Sequence, residues 1–260
     1  MTTSAQNANK AVWIRNGGYS YVKDLLQVGN DAKTILGEKH DVMTGILYLA
    51  PAAQNPHGVN LCPMAKLAKC EKPCLFTAGR GGMSNVEMGR LGKTNWFITD
   101  QEFFMETLAA NIERLIRAAK RKNMKLAIRL NGTSDILWER IAVRGKANVM
   151  ELFPTVQFYD YTKRPNRVVP SNYHLTFSYS GSSKRYSEMA MEQASKGYNV
   201  AVVFRSEEKL ADVVGKTFRG IPVIDGSCTD IRFGDAPNSV IGLCAKGPAK
   251  KDNSGFVVDV

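Results

Sequence analysis

From Val42 onward the chain alternates between two hydrophobic periods, one suited to strands and one to helices. "VMTGILYL" (Val42 to Leu49) is a nearly unbroken apolar run of strand length. Ser84 and Glu87 have capping-box spacing, which predicts a helix from Asn85 to about Leu91, and "NWFI" (Asn95 to Ile98) reads as a short strand. Thr99 and Glu102 repeat that spacing ahead of the clearest helix, expected to run to about Lys122. Phe104, Leu108, Ile112, Leu115 and Ala119 recur there at three- and four-residue intervals and so share one face. "KLAIRL" (Lys125 to Leu130) follows as a strand, and Ser134 or Asp135 is placed to cap a short helix holding Trp138 and Ile141.

Further strands are expected at Thr155 to Tyr159, His174 to Tyr179, Asn199 to Phe204, Ile221 to Ile224 and Ser239 to Cys244. Helices fall between them, from about Lys184 to Lys196, stopped by Gly197, and from about Glu207 to Val214. The closing "AKGPAKKDNSG" reads as surface loop. Apolar strands separated by amphipathic helices imply a parallel sheet covered by helices. The number of strands suits a partial or irregular (β/α) barrel with mostly parallel strands; a doubly wound open sheet is the alternative. No repeat or linker interrupts the pattern. Residues 1–260 therefore read as a single α/β domain with a cysteine-bearing loop at about 55–82 and a disordered stretch at 1–10.

Of 260 residues, 44% are apolar, enough for a full core. No stretch approaches the roughly 18–20 apolar residues of a membrane span, and "MTTSAQNANK" lacks the apolar centre of a secretory signal. A cytosolic chain with no membrane contact is expected. Lys and Arg number 35 against 24 Asp and Glu, a net charge of +11, which favours polyanionic partners such as nucleic acid or an anionic small molecule. The basic residues are dispersed except for "RAAKRKNMK" (Arg117 to Lys125), a helix end where cations also complement the dipole.

Five cysteines without an export signal point to metal ligation or catalysis rather than to disulfides. Cys62, Cys70 and Cys74 lie within "NLCPMAKLAKCEKPCLFTAGRGG" (Asn60 to Gly82), spaced Cys-x7-Cys-x3-Cys. This spacing lacks the Cys-x2-Cys knuckles common in structural zinc sites, and no His-x3–5-His pair follows. Zn2+ held by the three thiolates with Cys228, Cys244 or His57 as fourth ligand is one solution. A [4Fe-4S] cluster fits at least as well: three loop cysteines bind three irons, and the fourth takes Cys244, Cys228 or His57 or stays open. Gly79, Gly81 and Gly82 would let backbone amides approach the sulfides. An open iron invites comparison with radical S-adenosylmethionine enzymes, partial barrels with three cysteines after the first strand. Their Cys-x3-Cys-x2-Cys spacing differs, so S-adenosylmethionine ranks below a cluster acting alone.

The residues after the strands are polar: Asn131 and Asp135, Asp160 and Tyr161, Ser178 and Ser180, Arg205, Asp225 with Cys228, then Cys244. Barrel enzymes carry their sites at these ends, so all five cysteines are expected on one face. His174 opens a strand at the opposite end and reads as structural. No nucleophile–base pair stands out.

"CPMAKLAKCEKPCLFTAGRG", "RLNGTSDILWE" and "GLCAKGPAK" together resemble the bacteriophage gene product 88-like family, over roughly Gly29 to Lys250. The resemblance implies a phage gene expressed in the host bacterial cytoplasm and a cysteine-bound metal centre, with no particular reaction. From its motifs, Arg80 is suited to neutralise an anionic cluster or hold a phosphate or carboxylate, and Arg129 to pair with Asp135. The expectation is a phage-encoded iron–sulfur protein with a redox or small-molecule role. A zinc-stabilised protein that binds nucleic acid or a host bacterial protein is the alternative.

Overall fold

The structure, a computed structural model, describes residues 24–29 and 32–259. The expectation for residues 1–10 falls outside them. In chain order the elements are β1 (Leu26–Gln27), α1 (Ala32–Glu38), β2 (Val42–Leu47), α2 (Ser84–Thr99), α3 (Gln101–Arg121), β3 (Lys125–Arg129), α4 (Val149–Leu152) and β4 (Gln157–Thr162). Then come β5 (Tyr173–Ser178), α5 (Lys184–Ser195), β6 (Asn199–Phe204), α6 (Glu207–Ala211), β7 (Thr217–Phe218), β8 (Ile221–Asp225), β9 (Val240–Cys244) and β10 (Val257–Val258).

The fold is mixed α/β with a mostly parallel ten-stranded sheet. The strands hydrogen-bond in the order β1-β2-β3-β4-β5-β6-β9-β8-β7, with β10 beside β6. Only the end pairs, β1 with β2 and β7 with β8, are antiparallel among the registers described. β1 and β7 are the free ends of this path, so among the described residues the sheet is open and no closed barrel forms.

The chain divides into two compact units. The first comprises the residues up to Leu61, Met83–Phe158 and Val169–Tyr173. Its core is the face foreseen on α3: Phe104, Leu108, Ile112, Leu115 and Ala119 are all buried. α3 lies directly on β2, where a Cβ on Gly45 would stand 2.9 Å from Leu115 Cδ1. Glycine is what lets the helix approach so closely.

Several local expectations for this unit are corrected. "NWFI" is not a strand but the last turn of α2, which runs unbroken from Ser84 to Thr99. Four apolar residues fit either period, and packing decides: Trp96 rests on Phe103 and Phe104, and Phe97 on Phe104 and Trp138, with centroids 5.3–5.6 Å apart. Ser84 is already helical and caps nothing; Met83 holds the cap position without a side-chain bond. The cap of α3 is Asp100, which accepts from the Phe103 N–H, while the Thr99 hydroxyl turns back to the Asn95 carbonyl. After β3 there is a short 3-10 turn, Trp138–Arg140, in place of the helix expected after Ser134 or Asp135. The helical turn comes later, as α4, capped by Asn148 accepting from the Glu151 N–H. β4 starts two residues later than foreseen because the Asn172 amide holds the carbonyls of Met150, Phe153 and Val156 in a turn.

The second unit comprises Cys62–Gly82, Tyr159–Val168 and His174–Val260. Phe177 and Tyr179, Val200, Val202 and Phe204, and Val223 and Val240 face Tyr186 and Ala190 of α5 and Leu210 of α6. α5 ends as the sequence indicates, with Gly197 at φ +94°. The closing segment is not plain loop. It forms a 3-10 turn at Gly247–Lys251 that buries Ala249, and just beyond that segment β10 runs parallel along β6 with Val257 opposite Val203. Asp252 enforces this return by accepting from the Val257 N–H and the Ser254 N–H.

Candidate functional site

All five cysteines fall in the second unit, and the 62–82 segment forms an irregular strap there. Within it the Ala65 N–H donates to the Cys62 carbonyl (3.0 Å) and the Cys70 N–H to the Ala65 carbonyl (3.1 Å), which folds Cys62 and Cys70 about one residue. Lys69 turns the chain through left-handed backbone at φ +50°.

The strap is tied to the ends of the strands. The Ser180 hydroxyl donates to the Ala68 carbonyl at 2.8 Å and the Ser182 hydroxyl to the Leu67 carbonyl at 3.2 Å. The Ser254 hydroxyl is shared between the Lys69 carbonyl (3.2 Å) and Asp252 Oδ1 (2.7 Å). Ala68 is fully buried in the core beside Phe177 and Tyr179. Further on, the strap meets the segment after β9: a Cβ on Gly247, at φ +54°, would lie 3.0 Å from Ala78 Cβ. Only glycine fits there without strain.

Cys70 and Cys74 are electrostatic neighbours. Burial pushes the Cys74 thiol up, the Phe76 N–H pulls it down, the Cys70 thiol raises it and the Lys163 ammonium lowers it. Lys163 also sits over the Phe256 ring, 5.4 Å from its centroid. Cys244, at the end of β9, packs half-buried against the same apolar cluster as Cys70. Cys228 is exposed, its Sγ 3.9 Å from Asp225 Oδ2 in the turn after β8. None of the five cysteines is joined in a disulfide. Among the described residues, no three Cys, His, Asp or Glu side chains converge as a metal site.

The other residues singled out by sequence are dispersed. Gly79 (φ +56°), Arg80 and Gly81 form a 3-10 turn of the strap, with Arg80 exposed. The Gly81 N–H donates to the Ala78 carbonyl. Asn131 belongs to the first unit. Its Oδ1 accepts from the Ser134 hydroxyl, the Ile136 N–H and Trp138 Nε1 at 2.9–3.0 Å, and its Nδ2 donates to the Ile136 carbonyl. That amide holds the loop after β3. Arg129 and Asp135 are both buried in the first unit. His57 is exposed there, in a turn closed by Asn55. The basic end of α3 borders a groove of about 470 Å3 lined by Lys120, Asn123, Lys125 and Thr155.

Lys163, Ser180, Ser182 and Ser254 escaped the sequence reading as partners of the thiol strap. Position after a strand flagged Ser180, but nothing local indicates which carbonyl a serine will meet more than a hundred residues away.

An open, mostly parallel α/β sheet with a cysteine strap across strand ends defines the class of protein. The Gene product 88 family model matches residues 24–260, and the chain belongs to that family. No curated protein and no solved structure matches it. No helix among the described residues is long and apolar enough to cross a membrane.

Proposed function

We propose that the chain is a phage-encoded iron–sulfur protein of the host cytoplasm. Its cluster is held by Cys62, Cys70 and Cys74 with Cys244 as distal ligand, on an open, barrel-like sheet, and serves a redox or small-molecule role. One observation carries this reading: Cys70 and Cys74 are neighbours beside the Lys163 ammonium, while Cys244 packs on the same cluster as Cys70. A thiolate-only donor set with an adjacent cation suits an anionic iron–sulfur centre. The thiols as placed do not meet coordination geometry, so binding requires the strap to draw together. The strap's 3-10 turns, Leu75–Thr77 and Gly79–Gly82, bury no side chains, so the movement falls to the part after Cys74. Ala68 and the serine ties hold the part around Cys70. Cys228, exposed against Asp225, is the weaker candidate for the distal position.

Metal analysis of protein isolated without oxygen tests the reading. Iron and acid-labile sulfide with visible charge-transfer absorption support it; a colourless protein with stoichiometric zinc contradicts it. That second result would favour zinc-stabilised nucleic-acid binding, for which the basic groove at the end of α3 is the natural surface. Such binding would weaken steeply with salt as counterions are released.

A further inference from the structure

β5 alternates in an unusual way. Phe177, and Tyr179 just beyond the strand, join the core under α5, so His174, Thr176 and Ser178 share the other face. The polar side of an alternating strand ordinarily meets water. Here Thr176 is 0% exposed and Ser178 8%, and neither Thr176 Oγ1 nor His174 Nε2 has a hydrogen-bond partner.

The loop joining β8 to β9 reaches across to β4, where Tyr159 Oη stands 3.4 Å from Asp230 Oδ2 and the Tyr159 and Phe233 ring centroids are 5.5 Å apart. Arg232, between these two loop residues, acts electrostatically on His174. It is 0% exposed. Its Nη2 donates to the Thr229 carbonyl, and Nη1 stands 3.3 Å from Asp235 Oδ2. Its Nε has no acceptor. Burial pushes the Asp235 carboxyl up, against the opposing pull of Arg232. Gly226 makes room for the guanidinium, since a Cβ there would come within 2.8 Å of Nη1 and 2.5 Å of Ile241 Cγ2.

A guanidinium cannot shed its proton, and a buried donor without an acceptor is destabilising. The groups left wanting on this face are an arginine N–H, an imidazole nitrogen and a hydroxyl, all able to donate. Their common complement is an oxyanion. We propose that Arg232, with His174 and Thr176, binds the phosphate or carboxylate group of a small molecule. The site lies on different residues from the thiol strap and stands whether or not the strap binds iron.

The test uses the full chain at fixed pH and ionic strength, titrated with inorganic phosphate and, separately, sodium acetate while the histidine ring signals are followed by NMR. The His174 signal, assigned with His174→Gln, is expected to shift saturably while those of His40 and His57, both exposed, stay put. Thr176→Val, which preserves shape, should weaken binding about tenfold, the loss of one hydrogen bond to a charged group. Arg232→Gln should abolish it. Saturation with phosphate alone would assign a phosphorylated ligand, and with both anions a carboxylate-tolerant site. No saturable shift of His174 in the wild-type protein, or equal binding by Thr176→Val, would overturn the proposal even if Arg232→Gln fails to fold.

Discussion

Lys93 offers a direct test of the electrostatics of the first unit. It lies on α2, 3% exposed, and its Nζ makes one long hydrogen bond, 3.4 Å, to the Leu25 carbonyl. Burial, with the neighbouring Arg90 cation adding to it, lowers its pKa from 10.5 to about 8. A depressed lysine pKa means that the native state disfavours the ammonium. Below about pH 8 both folded and unfolded chains carry the proton, and the native state bears the whole penalty. Above 10.5 neither carries it, and the penalty is gone. At 1.36 kcal/mol per pKa unit the penalty is about 3 kcal/mol. Lys93→Met keeps an unbranched chain and removes the charge. In urea unfolding at pH 7 the variant should be about 2–3 kcal/mol more stable than wild type. The gap should shrink as pH rises from 8 to 10, isolating Lys93 from other groups that titrate in both proteins. A variant no more stable at pH 7, or a gap independent of pH, would refute the reasoning.

Two further outcomes follow from named bonds. Asn131→Leu strips the acceptor from three donors, one of them the indole of fully buried Trp138. It should cost about 3 kcal/mol or more by fluorescence-detected unfolding, and a loss below about 1 kcal/mol would show that the loop holds without it. Ser180→Ala removes the 2.8 Å tie to Ala68. It should cost about 1 kcal/mol and speed thiol labelling of Cys70 in the native protein, whereas unchanged labelling would mean the serine does not secure the strap.

What could be read from sequence follows the range of the forces involved. The buried face of α3 was legible because five apolar residues repeat at helical spacing over four turns. α5 and β6 likewise fall where their patterns and Gly197 place them. "NWFI" was misread because Trp96 and Phe97 are fixed by rings on α3 and by Trp138, not by their own neighbours. β10 is two residues long and exists because Asp252 turns the chain back onto β6. At the site, the thiol spacing was visible, and so was the placement of Cys244 after a strand. The Lys163 ammonium and the serine ties were not, since each depends on chain segments brought together from far apart. Alternation in β5 marked a strand but could not reveal that Thr176 and Ser178, on its polar side, are buried.

The claim that the thiol strap is a cluster site is tested most directly by electron paramagnetic resonance. Wild type and Cys74→Ser would be reconstituted with iron and sulfide under anaerobic conditions and reduced with dithionite. A reduced-cluster signal in wild type, with matching iron content, that is lost or broken down in Cys74→Ser is the expected result. No signal in wild type, or an equal signal and iron content in both proteins, would contradict the account.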